Sequence, residues 1–226
     1  MDMEHHRIAV GEDGVSAIFI RPVGATALFL FAHGAGAGMT HPTITANALG
    51  LAARGIATLR YQFLYMEKGS KRPDQPVLAH KVVRAAAAHA AALAPDLPLF
   101  AGGRSFGGRM TSQAQADTPL PGVRGLAFLG FPLHPAGKPG VDRAAHLQQI
   151  RVPMLFLSGT RDALADIELL RTTAATLGRR ATLHLVDQAD HSFKVAKKSG
   201  RTPTDVETEL LDRAANWMQR AVAPIS

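Results

Sequence analysis

The sequence predicts an α/β domain built on a mainly parallel, twisted sheet of about eight strands, with helices on both faces and an N-terminal hairpin. Three observations point there. Continuous apolar runs of strand length, such as ATALFLFA at 25–32 and VPMLFLSG at 152–159, suit strands buried on both faces of a parallel sheet. Between such runs lie segments with the spacing of amphipathic or Ala-rich helices, so strand and helix alternate along the chain. At 226 residues and 24.0 kDa the chain accommodates one domain, 1–226, and is too short for two.

The elements follow in order. RIAV and VSAIFIRP flank a Glu-Asp-Gly turn signal, which predicts two antiparallel edge strands near 7–10 and 15–21. ATALFLFAH is the next strand and runs into a loop containing Gly34, Gly36 and Gly38. TITANALGLAARG has helical periodicity, with Thr43 as its cap and Gly55 as its stop, and IATLRY is again a buried strand. QFLYMEKGSKRPDQPV is a polar, Pro-bearing connection, longer than the usual four to six residues. Helix returns at about 77–94 and ends before Pro95. LPLFAGG is strand, SFGGRMTSQAQA helix and GVRGLAFLGF strand; VDRAAHLQQI is one short helix leading to VPMLFLSG. A helix near 166–177, the strand ATLHLV and a terminal amphipathic helix, VETELLDRAANWMQRAV, complete the domain. No inserted segment is long enough to form a cap domain.

Composition narrows the function. With 46% hydrophobic and 19% charged residues the chain can bury a core. No run approaches the roughly 18 apolar residues of a spanning helix, and MDMEHHR carries charge where a secretory signal would be apolar. A cytoplasmic protein without a membrane partner is the expectation. The absence of Cys removes thiolate nucleophiles, disulfides and Cys-based metal centres together. The net charge of +7 is spread along the chain, its tightest groups being Lys68, Lys71, Arg72 and Lys194, Lys197, Lys198, Arg201. Scattered charge of this kind predicts a soluble surface or mildly anionic ligands rather than a nucleic-acid partner. The expected assembly is a monomer or homodimer.

Gly103-Arg104-Ser105-Phe106-Gly107 lies between an apolar strand and a helix. With 21 Gly and 8 Ser, a chance G-x-S-x-G has an expectation of only about 0.07 in this chain, and the strand-turn-helix context makes it a nucleophile elbow. The flanking glycines are expected because side chains there would collide with the sharply turned serine. A serine hydroxyl needs a base, and His191, after the last strand, is the candidate; His134 is its one rival. His5 and His6 are assigned to a tail, His80 and His89 to a helix, His184 to a strand, and His33 to holding the glycine loop. Asp162, at the end of VPMLFLSG, is the orienting carboxylate, with Asp187 and Asp166 as weaker alternatives and Asp190 pointing elsewhere. The order Ser105, Asp162, His191 is that of an esterase-type triad on an open α/β sheet. Oxyanion donors are expected from the amides of Phe106 and Ala35, with Gly36 next. Tyr65 and Met66, together with Leu133 and His134, are expected to wall the substrate site.

With those residues in hand, the chain resembles the α/β-hydrolase superfamily over essentially its whole length. HGAGAGM at 33–39, YMEKGSKRPD at 65–74, GGRSFGGR at 102–109, FPLHPAGKP at 131–139, SGTRD at 158–162 and DHSF at 190–193 carry a narrower resemblance. They are similar to the small, lidless, dienelactone-hydrolase-like branch and its testis-expressed and NSL-complex-subunit relatives. The resemblance implies an α/β-hydrolase fold, a Ser-Asp-His triad, no cofactor, and hydrolysis of a small-molecule acyl substrate. Ser105 departs from the cysteine usual in dienelactone hydrolases, and the eukaryotic relatives leave open a catalytically silent interaction module.

Overall fold

In the computed structural model, which describes residues 2–222, the N-terminal segments pair as an antiparallel hairpin, β1 (Glu4–Val10) and β2 (Asp13–Ile20). Val10 faces Asp13 across the ladder, so the turn is Gly11-Glu12 rather than Glu12-Asp13-Gly14. Gly11 supplies the positive φ, 63°, that a two-residue turn demands. His5 and His6 therefore belong to a strand and not to a tail.

The remaining elements are β3 (Ala27–Ala32), α1 (Pro42–Ala52), β4 (Ile56–Tyr61), α2 (Leu64–Glu67), α3 (Pro76–Leu93), β5 (Leu99–Arg104), α4 (Phe106–Asp117), β6 (Val123–Leu129), β7 (Met154–Gly159), α5 (Ile167–Leu177), β8 (Ala181–Val186) and α6 (Pro203–Val222). The strands form one sheet in the order β1-β2-β4-β3-β5-β6-β7-β8. Every pair from β4 to β8 is parallel, and the hairpin extends that sheet antiparallel through β2. Residues 142–149 form a 3-10 helix, and the described residues include no separate cap over the sheet.

Three boundaries differ from expectation for local reasons. The cap of α1 is His41, whose ring nitrogen accepts the Thr43 N–H at 3.2 Å, because Pro42 takes the first helical position, where a missing N–H costs nothing. The short α2 sits inside the long 62–75 connection; four residues are too few to show a period. Pro203 likewise starts α6 before the amphipathic pattern becomes visible.

β3 shows why the central strands are apolar throughout. Leu28, Leu30 and Ala32 pack with Val82, Val83 and Ala86 of α3 on one face, while Ala27, Phe29 and Phe31 join Ile44 and Leu51 of α1 and residues of α6 on the other. All six β3 residues are buried, and each large side chain contributes about 1.5–3 kcal/mol by leaving water. The chain leaves β3 for β4 on one side, whereas β5 lies on the other. Connections diverging in this way open a crevice beyond the carboxyl ends of β3 and β5.

Candidate active site

Ser105 stands at the carboxyl end of β5 and caps α4 with φ 47° and ψ −113°. A non-glycine residue in that region stores about 1–3 kcal/mol. Its amide donates to Leu129 O and its carbonyl accepts from Arg109 N, both at 3.1 Å, so the sheet and the helix hold the turn from two sides. The flanking glycines have a different reason from the expected one. A Cβ on Gly103 would lie 2.2 Å from Ala32 O, and one on Gly107 2.4 Å from His33 O. What they permit is the approach of the elbow to the end of β3, which brings the serine beside the 33–39 loop.

His191 reaches the serine from the loop after β8. Its Nε2 lies 2.8 Å from Ser105 Oγ, and its Nδ1 lies 2.8 and 3.0 Å from the two carboxylate oxygens of Asp162. A carboxylate only accepts, so Nδ1 carries the proton and Nε2 is left to accept from the serine hydroxyl. The Asp162 side chain is fully enclosed, and its Oδ1 also accepts the Leu164 N–H at 2.8 Å. Asp162 thus serves its own turn and the histidine at once. Asp190 folds the histidine loop by accepting the amides of Ser192 and Lys194, at 2.7 and 2.9 Å. Asp166 caps α5, and Asp187 accepts from Thr160. Two glycines admit the loop: a Cβ on Gly159 would meet Ala189 O at 2.1 Å, and Gly130, at φ 73°, abuts the His191 ring and carbonyl.

The rival histidine is occupied elsewhere. His134 is buried, its Nδ1 donating to Pro135 O at 2.9 Å while its Nε2 accepts the Asp166 N–H at 2.9 Å. His33 is built the same way, donating to Gly34 O at 2.8 Å and accepting from Phe63 N at 3.1 Å. Burial pushes its pKa down to about 4, so it remains a neutral strut under the glycine loop.

That loop is braced at several points. Met39 N donates to Gln62 Oε1 at 2.9 Å, and the buried Arg60 donates to Met39 O at 3.3 Å. Gly36 donates its N–H to the Tyr65 hydroxyl at 3.2 Å, whereas Ala35 N has no protein acceptor among the described residues. Ala35 and Ser105 line the same cleft, of about 420 Å³. Phe106 is the first residue of α4, where an amide has no acceptor within its own helix.

The expected walls need correcting. Leu133 is fully buried in the core and His134 is enclosed by its two hydrogen bonds, so neither lines the cleft. Tyr65 is also buried, under the glycine loop against His33 and Phe106, and Met66 packs toward Gly38. The lining comes instead from His41, Thr43 and Ile44 on one side and from Leu164, Ser192 and Lys194 on the other. Arg104, the variable residue of the elbow motif, also faces the cleft and was not singled out from sequence. Its only signal there was its place next to the serine. Among the described residues, no group of three His, Cys, Asp or Glu side chains could hold a metal ion, and no helix is long and apolar enough to cross a membrane.

The fold that carries this site has known relatives. A family model described as an alpha/beta hydrolase domain matches residues 25–219. Among solved structures, the chain is similar to a dienelactone hydrolase from Anabaena variabilis, with TM-score 0.76, 24% identity and 97% of each chain covered. It is also similar to the esterase domain of a Rhodothermus marinus protein, with TM-score 0.74, 19% identity and 97% and 99% of the two chains covered. A third likeness is to a serine hydrolase without a lid from Xanthomonas campestris, with TM-score 0.73, 19% identity and 96% and 95% covered. At these identities the three structures speak to the fold.

Proposed function

This chain belongs to the alpha/beta-hydrolase family, and from that premise we propose that it is a serine hydrolase of carboxylic esters or related acyl compounds. One observation carries the proposal: Ser105, His191 and Asp162, from three separate strand ends, form an unbroken hydrogen-bonded relay with both links at 2.8 Å. Structural packing alone gives no reason for a strained serine, a partly exposed imidazole and a fully enclosed carboxylate to align in that order.

The chemistry follows from the relay. Ser105 Oγ attacks the acyl carbon as His191 Nε2 takes its proton, and Asp162 holds the tautomer and stabilises the imidazolium. Charge developing on the carbonyl oxygen is met by the amides of Ala35 and Phe106, each worth about 10²–10³ in rate by comparison with measured donors. His191 then protonates the departing alkoxide, and the acyl-enzyme forms. Water, deprotonated by the same nitrogen, attacks it and regenerates Ser105 with release of the acid.

The test is activity-based. Wild-type protein is expected to hydrolyse a short p-nitrophenyl ester and to react covalently with a fluorophosphonate probe, and Ser105→Ala is expected to lose both. Undiminished labelling of Ser105→Ala removes the assignment; a wild-type protein that neither turns over nor labels points to a silent interaction module instead.

A further inference from the structure

A second concavity, of about 580 Å³, adjoins the cleft. It lies between α1, α6 and the 192–195 segment, and it shares Thr43, Arg104, Ser192 and Lys194 with the cleft that holds Ser105. Its floor is mostly apolar, with Phe193, Val195, Val206 and Leu210. Such a surface fits a short hydrocarbon chain.

Two polar groups in that apolar setting keep hydrogen-bonding capacity free. Arg104 forms no ion pair among the described residues; its one hydrogen bond is a long 3.4 Å contact to His191 O, and its guanidinium lies 5.7 Å from the Phe193 ring centroid. A guanidinium carries five donors, so most of them remain uncommitted. Asn47, on α1, is only 6% exposed, lines the same groove, and its side-chain amide makes no hydrogen bond among the described residues. Both side chains therefore keep donors free toward the groove they line, and a carboxylate is the ligand group those donors match. Lys194 adds a second positive charge at the junction; Glu207 is the acidic residue of the lining, and Asp190 and Asp162 are the carboxylates whose fields reach Arg104.

We propose that this groove is a substrate subsite for an aliphatic chain ending in a carboxylate, received by Arg104 and Asn47, so that the preferred substrates are linear monoesters of dicarboxylic acids. The inference rests on the hydrolase reading above. Hydrolysis of such an ester gives an alcohol and a dicarboxylate; the bond cleaved and the proton transfers are those of the acyl-enzyme route, with water as the only co-substrate.

The experiment separates the subsite from the chemistry. For wild-type protein, kcat/KM for the p-nitrophenyl monoester of adipic acid is compared with that for p-nitrophenyl hexanoate, which matches it in chain length without the charge. The adipate ester is expected to be favoured at least about tenfold, and Arg104→Met, which keeps the aliphatic stem, is expected to lower that ratio about 10- to 100-fold. Asn47→Leu, on a different element from the relay, lowers the same ratio while fluorophosphonate labelling of Ser105 persists. Binding is measured independently in Ser105→Ala by calorimetry, with monomethyl adipate expected to bind and methyl hexanoate to bind at least tenfold more weakly. Equal kcat/KM for the two p-nitrophenyl esters in a labelled, active wild type, or equal binding of the two methyl esters, overturns the subsite and leaves the hydrolase reading intact. Loss of labelling in wild type overturns the hydrolase reading, and the calorimetry still decides the groove.

Discussion

Replacing Asp162 by Asn is a one-atom change whose consequence can be worked out from three hydrogen bonds. Asp162 Oδ1 accepts the Leu164 N–H at 2.8 Å, and Oδ2 lies 2.8 Å from His191 Nδ1. In the variant, the amide oxygen must stay on the Leu164 side, because two donors would otherwise face each other in a fully enclosed site. The NH₂ group then takes the closer position, 2.8 Å from Nδ1, and favours the tautomer in which Nδ1 accepts over the one in which it donates to Oδ1 at 3.0 Å. The ring proton moves to Nε2, which now donates to Ser105 Oγ, 2.8 Å away, and can no longer remove its proton. A triad locked in the wrong tautomer loses about 10⁴ in kcat, or about 5.5 kcal/mol of transition-state stabilisation, as measured for the same change in a serine protease. The assay is kcat on a neutral p-nitrophenyl ester with the thermal midpoint followed in parallel, which is expected to change little since the shape is conserved. Asp190→Asn is the control: its carboxylate bonds backbone amides and not the ring, so a loss of tenfold or less is expected. Retention of more than a tenth of wild-type kcat by Asp162→Asn, or an equal collapse in Asp190→Asn, refutes the tautomer argument.

Two further predictions concern the frame around the relay. His33 is fully buried with its pKa pushed down to about 4, so between that value and the ordinary 6.5 the unfolded chain binds the proton that the folded one refuses. Stability is therefore complete above about pH 7 and falls on acidification; this one residue accounts for about 2 kcal/mol between pH 7 and pH 5, read by urea unfolding at the two pH values and compared with His33→Gln. An unchanged pH slope in that variant contradicts the assignment. Gly103→Ala is expected to destabilise by more than about 3 kcal/mol, since its Cβ meets backbone oxygen at 2.2 Å, whereas Gly24→Ala, at φ 70° in open space, costs about 1 kcal/mol of backbone strain; thermal melts of the pair test it, and equal melting points refute it.

Much of this frame was legible because its signals are short-range. Strands buried on both faces must be apolar at every position, which the run 27–32 announces without any partner being known. The elbow and the Ser, Asp, His order also survive in one dimension, since each residue follows its own strand. The walls were illegible for the opposite reason. Tyr65, Leu133 and His134 also follow strands, but whether a loop side chain turns outward to the cleft or inward to the core depends on packing from elements distant in sequence. Leu133 N, for instance, donates to Leu164 O at 2.8 Å, and it is Leu164 that reaches the cleft. Arg104 carries no signal in one dimension because the G-x-S-x-G motif leaves its position free.

Position 104 bears on how a site without a cap acquires selectivity. In a site with no cap above the crevice, only residues of the sheet ends and flanking helices remain to discriminate between substrates. Most of the loop residues nearest the serine are already committed: Tyr65 holds Gly36, His33 holds Gly34 and Phe63, and Gln62 and Arg60 hold Met39. Rigidity of that kind keeps oxyanion donors in place but leaves those side chains unable to adapt to a ligand. The position between the elbow glycine and the nucleophile escapes this commitment. Its backbone is fixed by β5 while its side chain projects past Gly34, where a Cβ would come within 3.9 Å of the Arg104 stem. An arginine there lies beside the reaction centre and is held by the strained turn that presents the serine. Selectivity and nucleophile presentation thus come from adjacent residues, and a change at 104 can alter which ester is chosen without moving the relay that cleaves it.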